Sequence, residues 1–167
     1  MRMAVGLAVP LVAALLQASV VPFVQVAGAR PNLVVLVAAS WSVAVGAREG
    51  VWWAFIGGIA ADLLSGGPLG AQALSALVPV TAIGLGDLQL RPRSVPTGVL
   101  LVATATLAAG LLYLLIIGLA GVALGDAAAL GASLVSSAIY NGVLAIATYP
   151  LFRALHHTTE KQASFGW

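Results

Sequence analysis

The chain has 167 residues, 61% hydrophobic and only 7% charged, with a formal net charge of +2 and a mean hydropathy of +1.08, far outside the range of soluble globular domains. That composition describes an integral membrane protein, and the seven Lys and Arg are too few and too scattered for a nucleic-acid patch. With no cysteine in the chain, disulfides, thiolate metal sites and cysteine nucleophiles are excluded.

Crossing a hydrocarbon core of about 30 Å takes about 20 helical residues, and the long runs here are apolar all round rather than alternating, which predicts helices and not a barrel. The first span is predicted over 3–24; its apolar run exceeds a signal-peptide core of about 7–15 residues, so a retained helix is expected. Gln17 and Ser19 within it are expected to face protein, because unsatisfied polar groups are costly in hydrocarbon. Pro31, placed in a first helical turn where its missing N–H is no loss, opens a short second span over 31–46. Arg48 and Glu49 break the apolar run, and a third span covers 50–64; one continuous helix would carry both charges through the bilayer centre. The fourth span is predicted over 69–86, followed by the polar loop "DLQLRPRSVP". A long fifth span covers 97–124 and a sixth 130–152, leaving 153–167 as a short, fraying cytoplasmic tail.

The expected fold is therefore an all-α polytopic membrane protein, with one domain of six transmembrane helices over 1–152. Lys and Arg favour the cytoplasmic side. Six spans put Arg2, Arg48, Arg91, Arg93, Arg153 and Lys161 on one side and only Arg30 on the other, so both termini are expected in the cytoplasm. Five spans would move Arg153 and Lys161 across and weaken that asymmetry.

The stretch "GGIAADLLSGGPLG" at 57–70 ends the third span. Gly66, Gly67 and Pro68 suit a turn, since Gly tolerates positive φ and Pro cannot continue a helix. Asp62 needs a separate explanation, because an anion is disfavoured near a helix C-terminus. Two readings stand open: a docking or ligand group, or an interfacial carboxylate that reaches water or pairs with Arg30. Hydrolysis within the membrane needs a base beside the nucleophile, and His156 and His157 lie in the tail. Proton-coupled transport needs ionisable groups near mid-bilayer, yet Glu49, Asp87, Asp126 and Glu160 are all placed in loops or the tail. No catalytic residue, metal site or cofactor is predicted. Four-residue spacings of small residues, as in Ala54, Gly58 and Asp62, suit close helix packing, and Asn141 is expected to form an interhelical hydrogen bond. Trp52 and Trp53 are expected in an interfacial aromatic belt.

The segment from Ala29 to Leu74, "ARPNLVVLVAASWSVAVGAREGVWWAFIGGIAADLLSGGPLGAQAL", resembles the core of the MreD family of bacterial rod-shape-determining membrane proteins. A basic residue and Pro open a short span, a Gly-rich span ends in Asp, and a small-residue turn follows. The matching positions are Arg30, Pro31, Asn32, Gly58, Asp62, Gly66, Pro68, Leu69 and Gly70. The resemblance implies a non-enzymatic scaffold or regulator of the cell-elongation complex in the bacterial cytoplasmic membrane, surrounded by lipid. It also implies a fold similar to the S-components of energy-coupling-factor transporters. The implied partners are an MreC-like bitopic protein and, through it, a peptidoglycan glycosyltransferase and transpeptidase pair and the actin-like MreB. The alternative is a substrate-binding S-component of a vitamin transporter. Its pocket would need convergent polar groups, for which Gln17, Asn32, Asp62, Gln72 and Asn141 are the candidates.

Overall fold

The computed structural model describes residues 2–24, 30–85 and 94–164. The described residues are mostly helical, with no strand among them. Among the described residues six α-helices follow in order: α1 (Arg2–Ser19), α2 (Leu33–Val45), α3 (Ala47–Ser65), α4 (Ala71–Leu85), α5 (Val95–Leu119) and α6 (Ala127–Ser164), with a 3-10 turn at Val21–Phe23. Two of them, over Val95–Leu119 and Ala127–His156, are long and apolar enough to cross a membrane by length and composition. Gly6–Ser19, Leu33–Val45 and Ala71–Leu85 are apolar but shorter.

The short α2 is the centre of the bundle. It packs against all five other helices, which form an arc in the order α1, α3, α4, α5, α6. The ends of the arc, α1 and α6, make no extensive contact with one another among the described residues. Successive helices run in opposite directions, so the bundle has two ends, one marked by Glu49 and the other by Asp62. Val34, Val35, Leu36, Ala38, Ala39, Ser40, Ser42 and Val43 of α2 are buried. Its 13 residues span about 20 Å, less than a hydrocarbon core. Encased by its neighbours, α2 has no need to reach from one lipid surface to the other.

Small residues allow the close approach. A Cβ on Gly58 of α3 would collide with the Ala73 backbone of α4, and one on Gly84 of α4 with the Ser42 hydroxyl and the Ala47 backbone. Ser42 in turn donates to the Val80 carbonyl at 2.8 Å. The four-residue spacing at Ala54, Gly58 and Asp62 is thus part of the α3–α4 contact within one chain.

Several sequence expectations are corrected. The helix after Pro31 starts at Leu33, because the Asn32 side chain accepts from the Val35 N–H at 3.1 Å and caps it; Pro31 precedes the cap. Only Gly46 separates α2 from α3, and Arg48 and Glu49 lie in the first turn of α3 rather than in a loop. Glu49 is favoured there by the helix dipole and accepts from Trp41 Nε1 at 3.0 Å. Trp52 is exposed, but Trp53 is buried and stacks on Trp41 with ring centroids 4.4 Å apart, so it is a core residue rather than a belt residue. α5 stops at Leu119 rather than 124, where the chain turns through Gly121 at φ 79°. α6 begins at Ala127, with Asp126 accepting from the Ala129 N–H at 2.8 Å. It continues to Ser164, well past the predicted end at 152. His156 lies on that continuation, edge-on to Trp41 at 6.5 Å, not in a fraying tail. Residues 25–29 and 86–93, the latter holding most of the predicted polar loop with Arg91 and Arg93, lie outside the described residues.

Candidate functional site

The most polar part of the described interior lies at the Asp62 end, around the start of α2. Several chain segments converge there because α2 begins well inside the bundle, leaving its first N–H groups and the neighbouring helix ends to be satisfied by side chains. Asn32 supplies one cap. Gln17 of α1 supplies another, its Oε1 accepting from the Val34 N–H at 3.1 Å while its Nε2 donates to Gln72 Oε1 of α4 at 3.0 Å.

Asp62 serves the next helix start. Its Oδ2 accepts from the Gly70 N–H at 2.9 Å and the Ala73 N–H at 3.4 Å, and its Oδ1 from the Gln72 N–H at 3.0 Å. The carboxylate is 2% exposed. An anion that is disfavoured at the C-terminus of its own helix is thereby placed at the N-terminus of α4, where the dipole and the free amides favour it. The intervening turn makes this possible: Gly66 at φ 68° and Gly70 at φ 90° adopt left-handed backbone that L side chains rarely take. Pro68 and exposed Leu69 lie between them, and the Pro68 carbonyl accepts from the Ala71 N–H at 3.1 Å. Asp62 is therefore bound by backbone amides rather than by water or Arg30.

Asn141 of α6, fully buried, makes the expected interhelical bonds. Its Nδ2 donates to the Asn32 carbonyl at 2.9 Å and to Thr106 Oγ1 of α5 at 3.0 Å. The carbonyl can only accept, which fixes the orientation of the amide. Its Oδ1 is buried with no hydrogen-bond partner among the described residues. Nearby, Ser137 Oγ donates to the Arg30 carbonyl at 2.7 Å. Ser137 and Asn141, more than a hundred residues on from Arg30 and Asn32, thus tie α6, and through Thr106 α5, to the entry of α2.

Above this polar floor is an open cavity of about 620 Å³. Gln17, Arg30, Asn32 and Gln72 line it, joined by Tyr113 of α5 and Ser133 of α6, with Ala and Leu side chains between them. Of the five polar residues expected to converge, Gln17, Asn32 and Gln72 face the cavity, whereas Asp62 and Asn141 are not part of its wall. Gly58 lies deeper, in the α3–α4 contact. Sequence reading missed Thr106, Tyr113 and Ser137. Each is a hydroxyl within a mostly apolar stretch of helix, the signal by which they could have been found.

A family model, rod shape-determining protein MreD, matches residues 1–159 of the 167. No curated protein and no solved structure matches the chain. The match extends well beyond the 29–74 segment that carries the sequence resemblance, and the chain belongs to the MreD family. That family is one of shape-determining membrane proteins rather than of known enzymes, and its role is in rod-shape determination.

Proposed function

We propose that this chain is a non-enzymatic membrane scaffold of the cell-elongation machinery, which binds the single transmembrane helix of an MreC-like bitopic protein and so supports peptidoglycan synthesis. The family match over residues 1–159 carries this reading. Asp62, Asn32 and Asn141 bond to the protein's own backbone and hold the bundle together. The outward face of α6 suits a helix partner. Val135, Ile139, Val143 and Ile146 recur at helical spacing and are all more than half exposed. α6 is at an end of the arc, so α2 and α5 cover one flank and leave the other open. Partner packing in lipid rests on van der Waals contact along such a ridge.

In this reading the six alternating helices lie in the bacterial cytoplasmic membrane with both termini in the cytoplasm. Arg48 and Arg153 are then at the cytoplasmic, Glu49 end and Arg30 at the opposite one. The peptidoglycan glycosyltransferase and transpeptidase pair and the actin-like MreB are reached through the bitopic partner. Co-purification from the native membrane in mild detergent, with all retained proteins and small molecules identified by mass spectrometry, tests the proposal. A bitopic protein with cell-wall synthases is the expected result. The second reading, a substrate-binding transporter subunit similar to an S-component, has the cavity of about 620 Å³ in its favour. Recovery of an ATPase module with a bound metabolite would establish it instead.

A further inference from the structure

We propose that the cavity at the Asp62 end holds a membrane lipid, with an anionic headgroup against Arg30 and an acyl chain entering between α1 and α6. Its volume, about 620 Å³, lies within the range of ligand sites, about 300–1,000 Å³. Position decides what fills it. α1 and α6 both contribute to the wall without extensive contact with one another among the described residues, and Ala18 and Pro22 on one side and Ser133 on the other are exposed. In a bilayer that gap opens sideways onto acyl chains. An open apolar cleft there forfeits contacts on one side, and the surrounding hydrocarbon restores them.

The charge pattern selects the headgroup. Among the described residues Arg30 is the only charged one in the wall, and the Asp62 carboxylate is held by the amides of α4. Neither the Arg30 guanidinium nor the Tyr113 and Ser133 hydroxyls have a hydrogen-bond partner among the described residues. The floor is the first turn of α2, where the helix dipole also favours an anion. A cationic ligand would meet no opposite charge, and a wholly polar one would leave the Ala14, Leu114, Leu130 and Leu134 wall uncovered. An anionic amphiphile satisfies both parts.

The experiment is native mass spectrometry of delipidated, full-length protein incubated with phosphatidylglycerol, with phosphatidylcholine and, separately, with inorganic phosphate. Wild type is expected to retain one phosphatidylglycerol in preference to phosphatidylcholine. Arg30→Gln should lower that retention about tenfold, the loss of one charge-assisted contact, and Arg30→Lys should restore most of it. Ala18→Trp, at the exposed mouth, should block both lipids while leaving the melting temperature unchanged. Three results would overturn the proposal: equal retention of the two lipids by wild type and Arg30→Gln, retention unaffected by Ala18→Trp, or binding of inorganic phosphate that competes as strongly as the lipid. A water-soluble metabolite or a partner helix in the same cleft would also overturn it.

Discussion

Replacing Asp62 tests the structural role of the motif at 57–70. In Asp62→Ala, the Gly70, Gln72 and Ala73 amides all lose their acceptor. The bonds at 2.9 and 3.0 Å are charge-assisted and each contributes about 1.5–3 kcal/mol; the third, at 3.4 Å, is weak. Gly70 and Gln72 are only partly buried, so water recovers some of the loss. A net cost of about 3 kcal/mol follows, a large share of a stability margin of about 5–15 kcal/mol. Asp62→Asn keeps one acceptor oxygen but turns an NH2 toward an amide donor and removes the charge, and should cost about half as much. Thermal challenge in detergent, read as the surviving monodisperse peak in size-exclusion chromatography, should rank wild type above Asn and Asn above Ala. If Asp62→Ala survives heating like wild type yet loses its partner in co-purification, the capping account fails and the carboxylate serves the partner directly.

Gly58→Val places its side chain on the Ala73 backbone and should destabilise the α3–α4 pair by about 1–3 kcal/mol, measured by the same chromatographic melt. Asn141→Asp removes the donor that reaches the Asn32 carbonyl and buries an acceptor-only group, so it should be worse than Asn141→Ala. Ala also removes the unpartnered Oδ1, and protease resistance of the membrane-embedded protein would give the order. Glu49→Gln retains an acceptor for Trp41 Nε1 and should be near neutral, whereas Glu49→Ala should cost about 1 kcal/mol; Trp fluorescence during unfolding reports both.

Elements whose signals are local were legible in the sequence. Gly66, Gly67 and Pro68 announce the turn, and unbroken apolar runs announce α5 and α6. The break between α2 and α3 was also visible, but its cause was assigned to Arg48 and Glu49 when Gly46 alone makes it. Charges at a helix start and charges in a loop look alike along a chain, and only the dipole-favoured position of Glu49 separates them. Asp62 shows a deeper limit. Its incompatibility with its own helix end was readable, but the answer is another helix brought back by the turn, a contact fixed by Gly66 and Gly70 and by the lack of a Cβ at Gly58. Gln17 and Asn32 were recognisable as polar groups needing partners; that they meet around α2 depends on α2 being the shielded central helix, which hydropathy does not reveal. Trp53 illustrates the same point, since adjacent Trp52 and Trp53 look equally interfacial until one is stacked on Trp41. The extension of α6 to Ser164 was hidden because the polarity of residues after 152 marks departure from hydrocarbon, not the end of a helix.

The most direct test of the scaffold account is photo-crosslinking from single positions on α6 in the native membrane. Crosslinks from Val135, Ile139, Val143 and Ile146 to the transmembrane helix of one bitopic protein, and none from buried Ala138 and Ala145, are predicted. Crosslinks confined to lipid at every exposed position of α6, in cells that keep their rod shape, would contradict it.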